Sequence, residues 1–107
     1  MTIRYKNAKV DLTTTNATDI FTIPNATTAV IKSILVSEDS GNADTITLTL
    51  TDSASAIFSL FKVKAVSANT TVELLTAPLV LAESEKITAQ AATANRLHIV
   101  VSYMEIS

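Results

Sequence analysis

The chain has no cysteine, no tryptophan, one glycine, one histidine and two prolines in 107 residues. Each shortage removes a class of protein. Without thiols there is neither a disulfide framework nor a thiolate metal site, so packing alone must hold the fold. A single glycine, Gly41, rules out the P-loop, the dinucleotide fingerprint and the nucleophile elbow, which need several glycines at fixed spacing. A single histidine, His98, excludes a two-histidine zinc site and leaves any histidine base without a histidine partner. Its place in the last strand, opposite an apolar face, reads as a solvent-facing or interface residue rather than a catalytic one. Aromatics are scarce too: Tyr5, Phe21, Phe58, Phe61 and Tyr103 are all there are, and most sit within apolar alternation as core residues.

Positive charge is also lacking. Eight basic side chains face ten acidic ones, a formal net charge of −2, so no basic field gathers nucleic acid or an anionic membrane. No apolar run approaches the roughly 20 residues of a membrane-spanning helix. The start, Met1-Thr2-Ile3-Arg4-Tyr5-Lys6, has no apolar run behind its basic residues, as a secretory signal would, which predicts a chain that is cytosolic when made.

What is present is alternation. In Asp44 to Thr51 the aliphatics Ile46, Leu48 and Leu50 take every second position between threonines, which on a strand puts them on one face and the threonines on the other. β-branched threonine and isoleucine favour the pleated chain, so propensity and pattern agree. The last strand, Arg96 to Met104, alternates in the same way, with Leu97, Ile99, Val101 and Tyr103 opposed to Arg96, His98, Val100 and Ser102. Ala29 to Ser37 is apolar on both faces, as expected of a central strand between layers or at a subunit contact.

Further strands are predicted at Thr18 to Ile23, Ile57 to Val63, Thr70 to Leu75, Leu79 to Leu81 and Lys86 to Ala91. Met1 to Val10 reads as a first or edge strand, or as an extended arm whose ten residues reach about 33 Å onto a neighbouring subunit. No stretch has a helical period. Roughly eight short strands at such spacing predict one all-β domain over 1–107, an antiparallel β-sandwich with jelly-roll topology. With glycine scarce, Asn25, Asn42, Asn69 and Asn95 are the expected turn residues, and the loop Glu38 to Ala43 reads as the turn of a hairpin into the strand at Asp44.

Few constellations carry chemistry. The acidic loop is the best metal candidate, since Glu38, Asp39, Asn42 and Asp44 offer oxygens to calcium; their spacing departs from an EF-hand, and the same residues suit a turn. Sequons at Asn16, Asn25 and Asn69 read as coincidence in a chain rich in asparagine and threonine. No nucleophile with a partnered base and no cofactor motif is visible, so neither enzymatic activity nor a cofactor is expected.

The stretches Phe21-Thr22-Ile23-Pro24, Ala29 to Val36, Asp44 to Asp52, Phe58 to Lys62, Thr71 to Leu81 and His98 to Ser107 carry a resemblance. From about Asp19 onward the chain resembles small virion proteins of tailed bacteriophages, particularly those of cyanobacterial and marine phages. The resemblance implies a β-sandwich present in many copies, as a capsid cement (decoration) protein or as part of the neck or tail. It carries no catalytic residues. The expectation is a structural virion protein, made in the host cytoplasm and assembled as a homotrimer. Its partners would be itself and the major capsid protein or other virion proteins, with Arg4, Tyr5, Lys6 and Lys9 of the basic N-terminal segment touching a neighbour. The alternative is a fibre-associated module that binds a carbohydrate or a receptor and exposes Tyr5 or Tyr103.

Overall fold

The computed structural model describes all of residues 1–107. Nine strands follow one another: β1 (Ile3–Asp11), β2 (Thr18–Thr22), β3 (Thr28–Glu38), β4 (Asp44–Thr51), β5 (Ile57–Val66), β6 (Thr71–Glu73), β7 (Leu79–Leu81), β8 (Lys86–Ala91) and β9 (Leu97–Ile106). There is no helix. The strands form a five-stranded sheet of order β1-β9-β3-β6, with β7 also on β3, and a four-stranded sheet of order β2-β8-β4-β5. All pairings are antiparallel.

The order has a simple origin. The chain doubles back at the β4–β5 turn, so that β4 pairs with β5, β3 with β6 and β7, β2 with β8, and β1 with β9. That long ribbon then rolls up, and the pairs β3–β9 and β4–β8 join its two halves into two layers. This is the jelly roll that the strand spacing predicts. The count is nine instead of about eight because one strand position is filled by two short pieces, β6 and β7. Between them Leu74 is buried and donates its N–H to the Ile34 carbonyl at 2.9 Å.

The rolling also corrects the hairpin expected between β3 and β4. The two strands lie in different sheets, and the loop between them crosses the edge of the sandwich. The reason is electrostatic: the Glu38 side chain is turned inward, where it gathers loop N–H groups instead of standing in solvent. Its carboxylate accepts hydrogen bonds from the backbone N–H of Ser40 at 2.9 Å, Gly41 at 3.1 Å and Asn69 at 3.2 Å, and from the Ser40 hydroxyl. Burial pulls the Glu38 pKa upward, but these hydrogen bonds to the charged form outweigh it and hold the carboxyl at about 2.

Between the layers lies an aliphatic core. Ile46 and Leu48 are fully buried and Leu50 partly so, while the intervening threonines of β4 stay half-exposed on the outer side. From the opposite layer come Ile31, Ile34 and Val36 of β3 and Leu97, Ile99 and Val101 of β9. Each such side chain contributes about 1.5–3 kcal/mol of burial. Leu12, in a segment that reads as a threonine-rich turn, closes one end of the core, with its N–H on the Leu97 carbonyl and its carbonyl on the Asn95 N–H. At the other end Phe21 stacks on Tyr103 with ring centroids 4.6 Å apart.

Turn chemistry follows the sequence in part. Asn69 and Asn95 take the left-handed conformation, at φ 55° and 63°. At the other two turns the neighbour does so, Ala26 in place of Asn25 and Gly41 in place of Asn42. Glycine meets no Cβ penalty at φ 85°, so it takes the position ahead of asparagine. Ala26 is held by a tertiary bond from its N–H to the Glu83 carboxylate at 2.7 Å.

Candidate functional site

The residues expected to do something are dispersed. Those of the acidic loop serve separate structural tasks: Glu38 gathers the loop N–H groups, Asp44 accepts the Thr93 N–H at 3.1 Å, Asp39 turns toward His98, and Asn42 is exposed. No three His, Asp or Glu side chains converge where a metal could be held. Asp39, Asn42 and Asp44, the calcium candidates, thus belong to no cluster of three acidic or histidine side chains.

His98 lies on the outer side of β9, as its position in the alternation predicts. Its Nε2 is 3.3 Å from Asp11 Oδ1 and its Nδ1 is 3.7 Å from Asp39 Oδ2, so it bridges β1 and the loop after β3 at a half-exposed site. The two carboxylates sit on opposite ring nitrogens and so cannot chelate one ion together with the imidazole. A shallow groove of about 290 Å³ runs beside it, lined by Lys9, Val10, Asp11, His98, Ile99 and Val100.

The N-terminal segment is an edge strand. β1 pairs with β9 of its own chain from Ile3 to Asp11, so it does not reach out as a free arm. Nor do its four marked residues form one surface. Tyr5 and Lys9 face outward, whereas Arg4 and Lys6 share the side of their cross-strand partners Glu105 and Tyr103, both buried. Lys6 Nζ is 2.8 Å from Glu105 Oε1. Burial and, secondarily, the Glu105 charge hold the Tyr103 phenol above its ordinary value, against the opposing effect of the Lys6 ammonium. Inward charges on an edge strand discourage another strand from adding to that edge.

What the structure does bring together is an apolar outer surface on the five-stranded sheet. Register places Tyr5 beside Met104, Met104 beside Val30 and Val30 beside Val80, a row that crosses four strands. Tyr5 is 77% exposed and Val80 61% exposed. Ile3 and Ile106 pair one step along, and Val100 pairs with Leu35 nearer the other end. Between these rows the β3 ladder bulges at Lys32, and the Glu73 carboxylate accepts hydrogen bonds from the Ser33 hydroxyl, the Ile34 N–H at 2.8 Å and the Leu75 N–H at 3.2 Å. Burial pulls the Glu73 pKa upward, but these hydrogen bonds to the charged form outweigh it and leave the carboxyl below its usual value.

Most of this surface escapes a reading by single strands. Its sequence signal is the doubling of apolar residues where alternation demands a polar one, at Val30-Ile31, Leu35-Val36, Val100-Val101 and Tyr103-Met104. Among known proteins, no family model and no curated sequence matches the chain.

Proposed function

We propose that this protein is a non-enzymatic structural component of a tailed-phage virion, a cement protein that stabilises the shell through contacts with its own copies and with the major capsid protein. The observation that carries this reading is the pair of apolar rows on the outer surface of the five-stranded sheet, in a domain where Glu38, Asp44 and Glu73 are occupied in holding its own backbone. Exposed apolar side chains set in rows across a sheet suit a protein contact site. A jelly roll whose recognisable devices are packing devices suits a part that is built into a larger assembly. The protein is then made in the host cytoplasm and located in the virion. The test is a density gradient of purified phage followed by mass spectrometry of the particles and of emptied capsids. A chain of 11.4 kDa is expected to travel with the shell, and its absence from intact particles overturns the reading.

One observation favours a second reading, a fibre-associated module that binds a carbohydrate or a receptor. Tyr5 stands 77% exposed in a protein that buries Tyr103, and an exposed aromatic ring is a platform for a sugar face. Binding on a glycan array that disappears with Tyr5→Ala is the expected result under that reading, and a blank array removes it.

A further inference from the structure

We propose that two copies of this chain pair face to face through the outer surface of the five-stranded sheet, about a two-fold axis that runs along the strands between β9 and β3. The inference stands on the order of side chains across that surface and is independent of the virion reading. A two-fold in this position exchanges the margins of the sheet, so β1 of one copy lies over β6 and β7 of the other, and β9 lies over β3.

Two rows are complementary under that exchange, and the row between them, Asn7-Ser102-Ser33 with Lys32 at the bulge, is polar. In one row, Tyr5-Met104-Val30-Val80, the operation sets Tyr5 over Val80 of the second copy and Met104 over its Val30, apolar on apolar at each place. Two rows away, register joins Lys9 to Val100, Val100 to Leu35 and Leu35 to Glu73. Here the operation sets Val100 over Leu35 and the Lys9 ammonium over the Glu73 carboxylate. Lys9 is exposed and takes part in none of the ion pairs of its own chain. Opposite charges at opposite margins of one row are what an isologous contact requires, because each residue must suit the residue that replaces it across the axis.

The dimensions are sufficient. The sheet presents about 27 Å along its strands and about 19 Å across four of them, a footprint of about 500 Å² on each copy. Two such faces reach the roughly 1,000 Å² that separates a specific contact from an incidental one. The other sheet carries exposed apolar side chains too, Ile57, Phe58 and Val63, but they are confined to β5 at one margin, and no apolar row crosses that sheet, since β4 presents Thr45, Thr47, Thr49 and Thr51 on its outer side and β8 presents Lys86, Thr88 and Gln90. A two-fold pair is a different assembly from the three-fold one expected from the resemblance, and the mass in solution separates the two.

The experiment is sedimentation equilibrium on the full chain at about 100 μM, joined to cross-linking of engineered cysteines in a protein that has none of its own. The expected mass is twice 11.4 kDa. Val80→Glu and Tyr5→Glu, at exposed positions, are each expected to weaken the pair at least tenfold while the circular dichroism stays that of a β protein. Lys9→Glu is expected to weaken it less. The double variant Tyr5→Cys/Val80→Cys is expected to give a dimeric band with a short bis-maleimide, and Tyr5→Cys alone is not, because the two copies of residue 5 lie at opposite margins. A monomeric mass for the unaltered chain, an unchanged mass for Val80→Glu, or a dimeric band from Tyr5→Cys alone overturns the proposal.

Discussion

The two outer surfaces of the sandwich come from strands with the same alternating pattern, yet their chemistry is opposite. On the four-stranded sheet the outward positions of the two central strands are Thr45, Thr47, Thr49 and Thr51 of β4 and Lys86, Thr88 and Gln90 of β8, which water satisfies, and exposed apolar side chains, Ile57, Phe58 and Val63, occur only on the marginal strand β5. On the five-stranded sheet the outward positions of β9 and β3 include Val100, Met104, Ile106, Val30 and Leu35. Alternation decides which side chains face the core. It does not decide what the other side is for, and that choice is made residue by residue. The margins differ as well. The β1 margin is guarded by an inward charge, Lys6 on Glu105, and the β5 margin by two irregularities of register and by Lys62 and Lys64.

The comparison requires that the inner faces be equivalent, and this carries the largest expected effect. Val101 of the five-stranded sheet and Leu48 of the four-stranded sheet are both fully buried. Leu48→Ala is expected to cost about 2–5 kcal/mol, and Val101→Ala, with less volume removed, toward the lower end of that range. Urea denaturation measures both. If either cost less than about 1 kcal/mol, one layer would not be sealed by the other, and the division into inner and outer faces would have to be redrawn.

The β1 margin comes next. Glu105 is buried and its carboxylate meets Lys6 Nζ at 2.8 Å. Lys6→Ala strands that charge and is expected to cost about 1–3 kcal/mol, the range for a buried polar group left without its partner. Lys9→Ala, on the outer side of the same strand, is expected to stay within about 0.5 kcal/mol. Equal effects at the two positions would show that β1 has no inner side.

How much of this could be read in advance depends on the range of the interaction. β4 and β9 declare themselves because alternation is local, and the strand spacing was enough to suggest the rolled topology. The crossing after β3 did not declare itself. A loop with Gly41 at its centre looks like a hairpin turn until Glu38 is known to face inward and to bind Asn69, 31 positions away. The dispersal of Asp39, Asn42 and Asp44 was hidden for the same reason, since their partners Thr93 and His98 come from the far end of the chain. Leu12 was lost in a run of threonines, and the outer apolar rows exist only once β1, β9, β3 and β7 are side by side.

Acid tests the link between the two sheets. Glu38 has its pKa lowered from 4.5 to about 2 in the fold, so the folded state binds the proton less readily than the unfolded one. Its contribution is therefore complete above pH 4.5, declines as the pH falls through the interval, and is gone below about 2. Glu38→Gln is expected to flatten the loss of thermal midpoint between neutral pH and pH 2.5. An unchanged slope in Glu38→Gln would mean that other carboxylates govern the acid limit.

The smallest effect is expected at the β5 margin, and its sign is the informative part. Val63 sits at one of the register shifts opposite β4, with φ 52°, its side chain 60% exposed and its N–H on the Thr47 hydroxyl at 3.1 Å. A β-branched residue in the left-handed region carries about 1–2 kcal/mol of strain. Val63→Gly removes the Cβ that causes the strain and keeps the N–H that binds Thr47, at a cost of about 0.5–1 kcal/mol in unfolded-chain entropy. The balance is a stabilisation of up to about 1 kcal/mol, seen as a higher urea midpoint with unchanged slope. The same substitution at Val30, on an extended stretch of β3, carries the entropy cost with no strain to relieve, so it is expected to destabilise. Opposite signs at two outward-facing valines would locate the strain in the bulged edge of the four-stranded sheet, whereas a loss at both would mean that Val63 holds its place by packing against β4.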